Sequence, residues 1–132
     1  MKRLLDTNIC IYVIKKKPEK VLKRFNAFVP GDIGISSITL AELRFGVEKS
    51  SERARNQDAL EGFLLAMEIA PFDDEAAHQY GVIRAGLEKK GKPIGSMDMQ
   101  IAAHALALAV PLVTNDVGEF GRVPGLALEN WA

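Results

Sequence analysis

Cysteine is almost missing from this chain. Cys10 stands alone among 132 residues, which excludes an internal disulfide and a thiolate metal cluster and agrees with a reducing compartment; it reads as a small buried hydrophobe. Histidine is nearly as scarce: His78 and His104 form no pair at zinc spacing, and each reads as a packed or surface side chain. No apolar run approaches the roughly eighteen residues of a membrane span. The run after Lys2 and Arg3 is broken by Asp6, Thr7 and Asn8 without a small-residue cleavage site, so no membrane association and no secretory leader is expected and cytoplasm is the default. Aromatic residues make up only 7% of the chain and sit mostly in apolar runs, so no stacking platform for single-stranded bases is indicated. Excess charge is missing too. Seventeen basic and seventeen acidic residues cancel, and a pI near 6.7 means that bulk charge does not announce a nucleic-acid binder.

What is present is the composition of a globular protein, 48% hydrophobic and 26% charged, at the length of one ordinary domain over residues 1–132. The charges are unevenly placed. Residues 1–24 hold Lys2, Arg3, Lys15, Lys16, Lys17, Lys20, Lys23 and Arg24 against only Asp6 and Glu19, while residues 57–79 hold six acids and no base. One cationic side is expected, suited either to solvation of helix faces or to phosphate contact.

Strand and helix signals alternate. "KRLL" at 2–5, "IGIS" at 33–36, "EIAPF" at 68–72, "VPLVT" at 110–114 and "LALENW" at 126–131 read as short buried strands. Between them, helical spacing predicts segments from Ile9 to the lysines, from Pro18 to about Phe28, from a start among Ser36, Ser37 and Thr39 to about Ser50, from 52 to 67 with Leu60, Phe63, Leu64 and Met67 on one face, and from Asp73 to Lys90 before Gly91. "MDMQIAAHALALA", started by Gly95 and Ser96, has so little polar surface that it should lie centrally. Unbroken apolar strands alternating with helices indicate an α/β domain with a mostly parallel sheet covered on both faces.

In such a sheet, ligands bind outside the carboxyl ends of the strands near the point where strand order reverses. Asp6 ends the first strand, Asp116 follows the fourth, Glu42 lies early in the helix after the second strand, and Asp98 starts the central helix. Each has a structural explanation taken singly: Asp6 can cap a helix at Thr7, Thr39 and Glu42 fit a capping box, Asp98 suits a helix dipole, and Asn115 or Asp116 can cap a short last helix. Capping, however, does not require acids from four segments to meet at one edge, whereas binding a divalent cation does. Oxygen donors suit Mg²⁺ or Mn²⁺, and such a site suits metal-assisted phosphodiester hydrolysis. Thr7, Asn8 and Thr114 are placed to hold those carboxylates or their waters.

The stretches "LLDTNICIYVIKKKP", "ISSITLAELRFGVEKS", "RAGLEKKGKPIGSMDMQIAAHALALAVPLVTND" and "EFGRVPGLALENW" together resemble a PIN-domain ribonuclease of the VapC toxin type, over nearly the whole length. The resemblance implies a PIN-like three-layer α/β/α fold with a five-stranded parallel sheet, commonly a homodimer. It places acids at Asp6, Glu42, Asp98 and Asp116, with Asp6 and Asp98 matching the metal positions most directly, Glu42 acting through water and Thr114 supplying a supporting hydroxyl. Similar members often carry "TNN" where this chain has "TND", which makes Glu119 in "GEF" the alternative fourth acid. The resemblance further implies Mg²⁺- or Mn²⁺-dependent endonucleolytic cleavage of RNA, with structured RNA such as tRNA as target. It also implies a VapB-like antitoxin whose carboxyl-terminal segment occupies the active-site groove, and operator DNA bound only through that antitoxin. RNA need touch only one cationic face, for which Lys15–Lys17, Lys20, Lys23, Arg44 and the lysines of 89–92 are candidates, and recognition by shape fits better than base stacking. Two other readings remain open: a phosphorelay receiver, which ordinarily carries a lysine after its last strand where this chain has none beyond Lys92, and a DNA-directed flap-type nuclease using the same chemistry.

Overall fold

The computed structural model describes residues 1–132. Five strands form one parallel sheet in the order β3-β2-β1-β4-β5: β1 (Arg3–Leu5), β2 (Ile33–Ser36), β3 (Glu68–Ala70), β4 (Leu112–Val113) and β5 (Leu128–Glu129). Side chains of a strand alternate between faces, and the core divides accordingly. Leu5, Ile35 and Val113 join one apolar layer, and Leu4 and Leu112 the other. The first layer is covered by α1 (Thr7–Lys15), α2 (Glu19–Asn26), α3 (Ser37–Lys49) and α4 (Arg53–Leu64); the second by α5 (Asp74–Lys89), α6 (Ser96–Leu108) and the short α7 (Val117–Phe120). This is the expected three-layer α/β/α arrangement, and α6, with Ile101, Ala102, Ala103 and Ala105 all buried, is as central as its composition implied.

Strand register rests on one tight spot. Gly34 pairs with Leu4 on one side and Glu68 on the other, and a Cβ there would lie 2.8 Å from the Glu68 carbonyl oxygen and collide with the Met1 side chain. Glu129 closes the opposite side: its carboxylate accepts from Arg3 Nε at 2.7 Å, Arg24 at 2.8 Å and the Trp131 indole at 2.8 Å.

Several boundaries fall inside the expected ones. The fourth helix stops at Leu64, leaving Met67 beyond it, and only Leu112 and Val113 of "VPLVT" pair as strand. Pro18 precedes α2 as its cap residue rather than entering its first turn. The Thr39–Glu42 capping box does not form. Ser36 is the N-cap, its Oγ accepting from Ile38 N–H at 3.1 Å, because the helix begins at Ser37 and Thr39 is already within its first turn. No helix is long and apolar enough to cross a membrane.

Candidate active site

The strand order reverses between β1 and β4, since the chain leaves β1 for β2 on one side and returns to β4 on the other. Asp6 stands immediately after β1 at that point, with its backbone N–H on the Val113 carbonyl at 3.0 Å. It is a helix cap as well: Oδ1 accepts from Ile9 N–H at 2.9 Å, while Oδ2 takes a short hydrogen bond from the Thr114 hydroxyl. Both oxygens are therefore fixed, in a side chain only 4% exposed. Burial raises the pKa of Asp6, the bonds from Thr114 and Ile9 oppose the rise, and the carboxylates of Asp116 and Glu42 add to it. Thr114 is held in turn from β5, its N–H donating to the Glu129 carbonyl at 2.9 Å.

Glu42 arrives on the second turn of α3. Thr7 Oγ1 donates to Glu42 Oε1 at 2.7 Å and lies 3.3 Å from Thr39 Oγ1, so a residue at the start of α1 aims an acid on α3. Asp98 lies in the first turn of α6, half-buried. Burial first, then the charge of Glu119 and a shared hydrogen bond with it, then Asp6 and Glu42, push Asp98 up to about 7. Glu119 is anchored by Gly95, whose N–H donates to Oε1 at 2.9 Å. A Cβ on Gly95 would touch both Asp98 Oδ2, at 3.6 Å, and Glu119 Oε1, at 3.8 Å. Asp116 caps α7, with Oδ1 accepting from Glu119 N–H at 3.1 Å and its own N–H donating to Thr114 Oγ1 at 3.0 Å.

The two candidates for the fourth acid act on different members of the cluster: the charge of Asp116 bears on Asp6, and that of Glu119 on Asp98. All five acids lie within electrostatic reach of the group, although no three carboxylates are set to ligate one ion directly. Thr7 donates to Glu42 and Thr114 to Asp6, whereas Asn8 is exposed on α1.

Two supports were not legible beforehand. Asn115 Nδ2 donates to the Tyr12 hydroxyl at 2.9 Å, tying the end of β4 to α1, and Arg122 donates to the Pro93 carbonyl at 3.2 Å, tying α7 to the loop before α6. Neither follows a local spacing rule. The Cys10 thiol, fully buried near Asp6, is held well above its ordinary pKa by burial and then by that charge, and stays neutral. His104 is buried, with Nδ1 2.8 Å from Ser36 Oγ and its ring edge-on to Phe72; it is a packed histidine. Arg44, a candidate for phosphate, is instead paired with Glu61 at 2.5 Å.

The sequence profile of the PIN domain matches residues 3–126. The chain is 46% identical over 131 residues to the tRNA(fMet)-specific endonuclease VapC of Salmonella typhimurium, covering 99% of this chain and 98% of that one. Among solved structures, VapBC2 from Rickettsia felis bound to a DNA fragment from its promoter superposes with a TM-score of 0.93 at 44% identity, over all of both chains. DNA-bound VapBC from Salmonella typhimurium superposes at 0.94 with 45% identity, over 100% of this chain and 99% of that one. Acids gathered at a strand-order reversal, the three-layer fold that carries them and full-length similarity agree, and the chain belongs to the VapC branch of the PIN-domain family.

Proposed function

We propose that this chain is a divalent-metal-dependent endoribonuclease, the toxin of a type II toxin–antitoxin pair, working as a single domain in the cytoplasm and inhibiting translation by hydrolysing phosphodiester bonds of structured RNA. The observation that carries this reading is the convergence of Asp6, Glu42, Asp98, Asp116 and Glu119 from four segments, dense enough to hold Asp98 at about 7. The donor set consists of oxygens only, as Mg²⁺ or Mn²⁺ requires, and Mg²⁺ typically takes one or two carboxylates and keeps its waters. Carboxylates this close resist ionising together, and a cation relieves that cost.

Asp6, Asp98 and Asp116 are the residues that would hold it, one or two of them directly and the rest through its waters. A divalent cation bound there would lower the pKa of an attacking water and offset charge on the phosphodiester. Asp6 can offer a fixed orientation because Thr114 and the α1 backbone hold both its oxygens. Glu42, aimed by Thr7, is suited to orient water, and Glu119 sets the charge of Asp98. Asp116 ranks above Glu119 because its charge bears on Asp6, the most buried of the acids.

The substrate class follows from the Salmonella relative, a tRNA(fMet)-specific endonuclease: the anticodon region of initiator tRNA is the proposed target. The VapBC structures support a VapB-like antitoxin, which alone would contact operator DNA. A groove of about 290 Å³ lined by Ile11, Ile14, Leu43, Val47 and Leu60, with Glu42 and Lys15 among its polar residues, suits an apolar segment of that antitoxin. A homodimer is the proposed assembly. The test is sequencing of RNA 5′ ends after brief expression of the wild type and of Asp6→Asn. New ends in initiator tRNA that vanish in the variant are expected; identical ends in both would overturn the reading.

A further inference from the structure

The lysine-rich start of the chain separates into two sets once its partners are known. Arg3 and Arg24 are both committed to Glu129, and Lys2 is 3.6 Å from Asp32. Lys15, Lys16, Lys17, Lys20 and Lys23 are exposed, and none has a carboxylate within ion-pair distance. Helix electrostatics explain only part of this. Lys15 and Lys23 sit in last turns, where a cation is favoured. Lys20 sits in the first turn of α2, where it opposes the dipole, and Lys16 and Lys17 form the connection between the helices.

The position of this ridge relative to the acids is fixed by α1. Asp6 caps the helix at one end and Lys15 closes it at the other, so at 1.5 Å per residue the lysines begin about 13 Å from the buried carboxylate. Lys15 also lines the groove that contains Glu42. A chain of phosphates passing over the acidic site and along α1 would therefore leave a region where anions are repelled and enter one where five cations stand without partners.

We propose that the α1–α2 corner, Lys15, Lys16, Lys17, Lys20 and Lys23, is a phosphate-binding surface for the RNA strand flanking the cleaved bond, a few nucleotides away. The proposal rests on the ribonuclease reading above and deepens it. It assigns affinity to a surface that takes no part in the chemistry, which explains how a chain of zero net charge engages a polyanion.

The test is the salt dependence of binding to an initiator tRNA transcript, in EDTA and in an Asp6→Asn background so that no cutting occurs. Each lost phosphate contact should flatten the slope of log K against log salt by about 0.7 to 0.9. Lys15, Lys17, Lys20 and Lys23 changed together to Gln, with Lys16 left in its left-handed position, should remove a slope of about 3 to 4. In the otherwise wild-type enzyme the same change should raise KM for tRNA several-fold and leave kcat and Mn²⁺ binding unchanged. Lys89, Lys90 and Lys92 changed to Gln serve as the charge control. An unchanged slope, or an equal loss in the control, overturns the proposal; so does a variant that keeps its slope but loses capture by the co-expressed antitoxin, which would make the ridge a protein-binding surface. Failure of the ribonuclease reading is seen separately, as RNA cleavage surviving Asp6→Asn.

Discussion

The charge state of Asp98 makes a prediction about stability that needs no substrate. Its folded pKa of about 7 lies far above the ordinary 3.8, so between these pH values the folded protein binds a proton that the unfolded chain has released. Stability must then fall as pH rises through this window and level off above it. At 1.36 kcal/mol per pH unit the full difference is worth about 4 kcal/mol, and because the side chain is only half-buried, solvent screening reduces it to about 2 kcal/mol. Asp98→Asn removes the titration while keeping the shape. Without metal, the variant should match the parent near pH 4 and exceed it by about 2 kcal/mol at pH 8, on the order of 8 °C in Tm for a chain this size.

Added Mn²⁺ should reverse the order, because the ion binds the ionised parent and stabilises it by mass action, whereas the variant has lost a proposed ligand. The assay is thermal unfolding of both proteins from pH 4 to 8, with EDTA and with saturating Mn²⁺. Other groups, among them Glu129 and His104, titrate in both proteins and cancel in the difference. A difference that stays flat across pH would refute the crowded-carboxylate account; a parent and variant stabilised equally by Mn²⁺ would refute the assignment of Asp98 as a ligand.

Asp6→Asn should leave the unfolding free energy within about 1 kcal/mol of the parent, since Asn and Asp cap comparably, while cleavage falls by on the order of a hundredfold or more; a large loss of stability would show that the side chain is mainly structural. Thr114→Val removes the hydroxyl that orients Asp6 and should lower metal affinity about 10- to 100-fold, read by Mn²⁺ titration. Comparison of Asp116→Ala with Glu119→Ala in a tRNA cleavage assay ranks the fourth acid, with the greater loss expected at Asp116 and the reverse result moving that role to Glu119. His104→Leu takes from the buried Ser36 hydroxyl one of its two partners, leaving the Ile38 N–H, and should cost about 1 to 3 kcal/mol; additive costs when it is combined with Ser36→Ala would mean that the two side chains do not depend on each other.

The fold was legible because its signals are local and redundant. Apolar runs such as "IGIS" alternate with helical periodicity, and a parallel sheet is the arrangement that buries them all. The candidate acids were selected for a different reason: strand ends are where an open α/β sheet binds its ligands, so knowing roughly where β1 and β4 stop was enough to nominate Asp6 and Asp116. What could not be read were relations between distant segments that no spacing encodes. Thr39 and Glu42 look like a capping box by local rule, yet Ser36 takes the cap and Glu42 is claimed by Thr7, 35 positions away. The basic charges show the same limit. Arg3, Arg24 and Lys15 are equivalent in composition, but Glu129, more than a hundred residues downstream, neutralises the two arginines and leaves the lysine free. Asp6 joins the two levels, since the position that makes it a good cap, the first residue after a buried strand at a helix start, also puts its carboxylate where acids from other segments arrive. Capping and the proposed metal binding are not rival explanations of that residue; the first would supply the rigidity that the second needs.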